Sequence, residues 1–471
     1  MVLGAFMLST LGFSLYFNSP DSLAIIGAAF TSITCGGITW YVTQNSSKNI
    51  GKREGYLIVA ASWFTISIFS SLPYIYSHAI PEFTDAIFES VSGLTTTGAS
   101  VLNDIEAVPK GILFWRSLTQ WFGGMGIIVL TVAIFPLLGI GGVELFVAEA
   151  PGPTSDKIHP RIKETAKRLW MIYVGLTLLL TTILCFCGMT FFDAINHGLT
   201  TMATGGFSTK NTSVEYFDSP VIQYTIAFFM FLAGINYTII YFSLTRKFKR
   251  VWKSDEFKTY VTLVTVLTVI VTAVVYNVSG QGFEKSFRDA LFQIISIITT
   301  TGFVSADYTS WTPALTLLFF ILLFVGACAG STSGGIKIIR HLVFFKNIFL
   351  EFKRLLHPRA VIRIKVDQQL VRGRILTHIL VFLLLYLAIF VISSLLMTII
   401  FADFEQPLIT ALGAVATALG NVGPAIGGLG PLDNFSEVPV TGKWFLVFLM
   451  LLGRLEIFTI LILFTPYFWR D

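Results

Sequence analysis

Apolar residues in this chain run in long blocks and do not alternate with polar ones. The blocks cover residues 2–17, 23–42, 56–76, 111–139, 169–192, 220–244, 260–279, 313–330, 375–402 and 444–468. A helix needs about 20 apolar residues to cross roughly 30 Å of hydrocarbon, so the pattern predicts ten membrane spans. Four further stretches, 85–97, 193–204, 288–301 and 406–420, are moderately apolar but too short to cross. Each lies between two full spans and ends in a glycine-containing turn. Irregular backbone at membrane depth is tolerated only when buried in protein or lining a watery cavity. Four re-entrant loops facing one cavity are therefore expected.

Composition agrees with this reading. Of 471 residues, 54% are hydrophobic and 13% charged, with a mean hydropathy of +0.76. A soluble domain carries about 25% charged residues because its surface faces water. The longest polar stretch runs from Lys337 to Arg374, so no separate soluble domain is expected. The opening Met1–Phe17 lacks a basic leader and a small-residue cleavage site and reads as a short first span. Cys185 and Cys187 have the wrong spacing for zinc and no histidine nearby; with Cys35 and Cys328 they read as apolar packing residues.

Basic residues set the orientation. The segments 42–54, 140–169, 246–258 and 337–374 hold 24 of the 32 Lys and Arg residues, and all fall on one side if ten spans alternate. The positive-inside rule makes that side cytoplasmic and puts both termini there. The other side collects Asp85, Glu89, Asp104, Asp193, Asp289, Asp307 and Asp433, an acidic mouth that would concentrate cations. The pI of about 8.9 is thus a topology signal, and no nucleic-acid partner is expected.

The short stretches repeat one another. The first is Asp85-Ala-Ile-Phe-Glu-Ser-Val-Ser-Gly-Leu-Thr-Thr-Thr-Gly98 and the second Asp193-Ala-Ile-Asn-His-Gly-Leu-Thr-Thr-Met-Ala-Thr-Gly205. The third is Asp289-Ala-Leu-Phe-Gln-Ile-Ile-Ser-Ile-Ile-Thr-Thr-Thr-Gly302. The fourth, from Ala411 to Gly423, is degenerate but keeps the apolar helix and the final glycine. The unit is span, half-helix, loop, span, four times over. An extended Thr-x-Gly strand can aim carbonyl oxygens at a dehydrated cation, and glycine lets the backbone come close. The half-helix adds the partial negative charge of its C-terminal end. Asp85, Asp193 and Asp289 read as helix caps first and as ion-attracting groups second.

These motifs carry a resemblance. Thr96-Thr97-Gly98, Ala203-Thr204-Gly205, Thr300-Thr301-Gly302 and Asn421-Val422-Gly423 resemble the filters of the Trk/Ktr/HKT superfamily of potassium transporters. Ala148-Glu149-Ala150-Pro151-Gly152-Pro153-Thr154, His159-Pro160-Arg161, Ala203–Thr209 and Asn421–Pro424 are similar to its bacterial Trk branch, as are two extra spans before the first repeat. The resemblance covers nearly the whole chain and implies an all-α membrane protein with a pseudo-fourfold pore. The implied division is 1–54 for the extra spans and a basic loop, then pore repeats at 55–168, 169–258, 259–374 and 375–471. Glycine in all four filters implies potassium preference, whereas serine in the first goes with sodium. Asn421 and Val422 depart from threonine and break the symmetry of the ring, a departure the family shares.

The second span of repeat three is broken by Gly326-Ala-Cys-Ala-Gly330-Ser331-Thr332-Ser333-Gly334-Gly335-Ile-Lys337, a poor continuous helix. By its residues alone it reads either as a small-residue helix contact or as a break. The resemblance implies a gating loop beneath the filter. Within the last span stands Arg454, which costs about 2.5–3.5 kcal/mol at membrane centre and so needs a partner or a cavity. A pair with Glu456 is disfavoured, because residues two apart face different directions on a helix. The resemblance places such an arginine near the conduction path.

It also implies a homodimer docked on a cytosolic TrkA-like nucleotide-binding regulatory ring, potassium as cargo and no catalytic cofactor. The basic loops, 337–374 above all, would receive that ring or anionic lipid headgroups. Two other classes are weaker. A carrier of organic substrates predicts two inverted halves, not four units. An intramembrane enzyme needs a paired nucleophile or a zinc motif, and His78, His197 and His378 stand apart from such partners.

Overall fold

The structure, a computed structural model, describes residues 1–45, 51–129, 158–360 and 362–470. The motif 148–154 lies outside these residues. Among them, five helices are long and apolar enough to cross a membrane: Ser22–Thr43, Arg53–Tyr76, Glu164–Phe186, Asp255–Ser279 and Gly373–Ile400. Two bent pairs bring the number to seven if each counts as one span.

The expected spans differ from the observed helices in four places. The first is two short helices, Val2–Ser9 and Leu11–Tyr16, meeting at Thr10. The block 220–244 bends by 105° between Pro220–Ala233 and Tyr237–Leu244, and 444–468 bends by 110° between Val440–Arg454 and Phe458–Phe464. The helix of the block 313–330 stops at Leu322. The two bends have local causes. Asn236 caps the helix after it, its side chain accepting from Thr238 N at 2.7 Å. Glu456 and Ile457 both have positive φ, which no helix continues through.

Backbone groups freed by the breaks find one another. Cys328 N donates to Gly234 O at 3.1 Å, and Tyr237 N donates to Gly330 O at 3.2 Å. At membrane depth no water would satisfy them, so two interruptions are mutually required.

Four short helices sit between the long ones: Phe83–Leu94, Phe191–Met202, Phe283–Ile298 and Pro407–Gly420. Each packs on the long helix before it. The first also packs on Val440–Arg454, the second on Lys110–Val129 and the third on Pro220–Ala233. The first and second units and the second and third thus share walls, and the last returns to the first.

Beyond the interruption, helix Ile338–Leu356 packs on a hairpin of Lys365–Val366 with Gln369–Leu370. The turn residues Asp367 and Gln368 are both left-handed, as a type I′ hairpin turn requires. Arg340 of this helix forms an ion pair with Glu456 at the bend of the last span and lies 3.9 Å over the Phe382 ring. Glu456 therefore partners Arg340, not Arg454. Removing one member strands a buried charge, costing about 3–5 kcal/mol. Arg340→Met is expected to lower the thermal unfolding midpoint in detergent, and adding Glu456→Gln should recover much of the loss. An unchanged midpoint in the single variant would count against the pair.

Candidate functional site

The chain leaves each half-helix in the same way. Thr96, Thr204, Thr300 and Asn421 all have φ of 53–54°, and two residues later Gly98, Gly206, Gly302 and Gly423 have φ of 85°, 77°, 81° and 105°. The residue between them donates its N–H five residues back: Thr97 to Ser92, Gly205 to Thr200, Thr301 to Ser296 and Val422 to Thr417. The first, third and fourth loops are the expected Thr96–Gly98, Thr300–Gly302 and Asn421–Gly423.

The second is shifted by one residue. Its left-handed glycine is Gly206, and Gly205 takes the place of Thr97. Ala203 sits at the half-helix C-cap, as Thr95 and Thr299 do.

The four loops meet in a cycle. A Cβ added to Gly98 would strike Gly205 O, one on Gly206 would strike Thr301 O, and one on Gly302 would strike Val422 O. One on Gly423 would come within 2.7 Å of Thr97 O. Only glycine permits this approach with positive φ. Above the ring, a cavity of about 150 Å³ is lined by Gly98, Gly206, Gly302 and Gly423 together. All the loop threonines, Asn421 and Val422 are buried. Thr96 Oγ1 and Asn421 Oδ1 have no hydrogen-bond partner, so they are free oxygens inside the protein.

Side chains behind the ring hold the loops. Gln120 donates Nε2 to Gly205 O at 2.6 Å and accepts from Phe207 N at 3.1 Å. Asn421 Nδ2 donates to Thr97 Oγ1 at 3.0 Å and to Met450 O at 2.9 Å, joining the fourth loop to the first. Outside the ring, Asn211 donates to Asp104 at 3.0 Å and accepts from Ile105 N at 2.7 Å. That amide holds the exposed Asp104 carboxyl below its ordinary pKa.

The expected caps are not caps. Asp85 and Asp193 lie in the first turns of helices whose caps are Glu82 and Thr190, and Asp289 lies well inside its helix. Asp85 is paired with Lys443 at 2.7 Å, and Asp193 accepts from Thr190 and Thr209 hydroxyls. Nor is the mouth simply acidic. Glu89 is fully buried against Arg116, and the cavity carries Arg116 and Lys210 beside Asp433.

Gly326–Lys337 has no helix and is almost wholly buried. Gly334 N donates to Thr300 Oγ1 at 2.6 Å, and a Cβ on Gly334 would meet Gly420 O and Asn421. Thr332 Oγ1 donates to Met202 O at 3.1 Å. Arg454 Nη1 donates to Thr332 O and Nη2 to Gly123 O, each at 3.0 Å. Gly123 in turn lies against Leu94 O. The segment thus touches the C-terminal ends of the half-helices, on the side opposite the cavity, and Arg454 ties it to the Lys110–Val129 helix. Ser331 bonds Cys328 O and Ser333, and Lys337 Nζ folds back on Ser333. Gly330 packs on Asn236; Gly326 and Gly335 pack on each other.

Sequence reading missed Arg116 and Gln120. The signal was present: Arg116 and Gln120 are polar residues four apart in an apolar helix, which places them on one face.

Four convergent loops held in a largely helical, apolar scaffold mark a membrane protein. Residues 21–279 and 259–470 match the model of the TrkH family, described as a cation transport protein. The chain belongs to the TrkH family, whose members are transport proteins and not enzymes. The Trk system potassium uptake protein TrkH of Escherichia coli K12 is 43% identical over 475 residues, covering 97% of this chain and 94% of that protein. Its counterpart in Vibrio parahaemolyticus is 39% identical over 464 residues, with the same coverages. The crystal structure of the potassium transporter TrkH from Vibrio parahaemolyticus superposes with a TM-score of 0.89 at 37% identity, covering 100% of this chain and 97% of that one.

Proposed function

We propose that this protein takes up potassium across the cytoplasmic membrane through a filter formed by Thr96–Gly98, Thr204–Gly206, Thr300–Gly302 and Asn421–Gly423. The observation that carries this reading is the repeated backbone: the same pair of left-handed residues in four loops, each glycine pressed against a neighbour's carbonyl. Such loops replace a potassium ion's hydration shell with carbonyl oxygens. The half-helix ends below them lend partial negative charge. Family membership and relatives named for potassium uptake support the choice of ion.

In this reading Gly326–Lys337 closes the passage beneath the filter, and Arg454 pins it by its bond to Thr332 O. Ten spans, two extra and eight in four repeats, follow from the apolar blocks, and cytoplasmic termini follow from the basic segments. The protein acts as a homodimer under a cytosolic nucleotide-binding ring, which docks on the basic segment 337–374. Rubidium uptake into proteoliposomes, with potassium or sodium as competitor, tests the proposal. Potassium should suppress uptake at concentrations where sodium does not. Equal competition by the two ions would sink it.

A further inference from the structure

One residue stands seven positions before the first left-handed residue of each loop: Glu89, His197, Gln293 and Ala414. Three of them hold the strand that leaves the loop. Gln293 Nε2 donates to Ala306 O at 3.1 Å, and His197 Nε2 lies 3.0 Å from Ser208 Oγ. Glu89 does more. Its Oε2 accepts from Val101 N at 2.9 Å, and its Oε1 accepts from Ser100 Oγ at 3.0 Å and Arg116 Nε at 2.6 Å. Ala414 has no polar side chain for the task.

Arg116 then carries the connection to the second loop. Its Nη1 donates to Ser208 O at 3.0 Å, and its guanidinium lies 3.5 Å over the Phe207 ring. Phe207 directly follows Gly206, and its N–H is the one held by Gln120. The pair therefore spans from residues 100–101 to 207–208, just outside Gly98 and Gly206. Both side chains are at most 3% exposed. A buried ion pair holds its geometry only when its remaining donors and acceptors are also bonded, and here both carboxylate oxygens and two guanidinium nitrogens are.

We propose that Glu89 and Arg116 are a positioning pair that fixes the separation of the first and second loops and thereby sets discrimination between potassium and sodium. The inference rests on the filter reading above. The two ions differ chiefly in the carbonyl cage they need, and this strut acts between two of its four walls. It touches no ion; it acts through the backbone of residues 98–101 and 205–208. Its charges cancel, so Arg116 adds no net repulsion to the cavity it borders.

The test compares the wild type with Glu89→Gln and with Glu89→Gln/Arg116→Met, the double variant leaving no uncompensated charge. Rubidium uptake in proteoliposomes gives the ratio of half-inhibiting sodium to half-inhibiting potassium. Loss of a charge-assisted bond predicts a fall of about tenfold in that ratio for the double variant. The gap between unfolding midpoints in potassium and in sodium should shrink in parallel. A merely structural role would reduce folded protein and uptake capacity while leaving both readouts unmoved, which would overturn the proposal. Failure of both variants to yield monodisperse protein would overturn it equally. If the wild type itself does not discriminate, the filter reading fails, and that result is separate.

Discussion

Replacing Gly206 with alanine is expected to lower initial rubidium uptake at least about tenfold, while Gly205→Ala costs roughly threefold or less. The difference is geometric. Gly206 has φ +77°, and a Cβ there would meet the Thr301 carbonyl, rigid backbone of the adjacent loop. Alanine at positive φ destabilises by more than about 1 kcal/mol, and each 1.36 kcal/mol at the limiting step is about tenfold in rate. In the proposed filter, the neighbouring loop would also move off its position around the ion. Gly205 has ordinary φ, and its added methyl meets the Gln120 amide, whose bond to Gly205 O must shift, a smaller cost than moving rigid backbone. Initial-rate uptake at equal protein incorporation decides between them. Equal losses, or a worse one at Gly205, would return the filter glycine to position 205.

Arg454→Ala should act in the opposite direction. Its guanidinium bonds Thr332 O of the interrupted segment and Gly123 O of the first repeat, and it places a buried positive charge beneath the ring. Charge-assisted bonds contribute about 1.5–3 kcal/mol each, so in the proposed gate their loss would free the segment and lift an electrostatic barrier together. Potassium flux in proteoliposomes is expected to rise roughly tenfold or more. Arg454→Lys keeps the charge but not the two-handed contact, and should fall between. Unchanged flux in Arg454→Ala, at matched incorporation, would remove this residue from the gate.

The two variants probe different features and separate cleanly. A filter defect lowers flux and disturbs the choice of ion. A gate defect raises flux and leaves the choice intact, since Arg454 contacts none of the four loop glycines.

Much of this architecture was legible beforehand. The apolar blocks located the long helices Ser22–Thr43, Lys52–Tyr76, Asp255–Ser279 and Gly373–Ile400. The repeated Thr-x-Gly located the loops, and the glycine-rich run after Leu323 located the interruption. Register in the second loop was not legible. Gly205 and Gly206 are adjacent glycines, and side-chain chemistry offers nothing to choose between two residues without side chains. Their φ values choose. The bends at Asn236 and at Glu456–Ile457 were hidden because an apolar run reports only that a segment avoids water, not that it is straight. A single Asn inside such a run was the clue that went unread.

Partners were the other gap. By sequence Glu89 reads as a mouth acid because its arginine stands 27 residues away, and Arg340, 116 residues from Glu456, is equally out of local reach. The sequence alone determined which segments leave water, where they stop short and which loops are rich in glycine. Those properties belong to local stretches of chain and add along it. Tertiary structure alone decided which glycine turns left-handed, which carbonyl faces which neighbour and which charge neutralises which. Each of those depends on two distant segments arriving together, and the energy of a pair appears only when both are buried at contact.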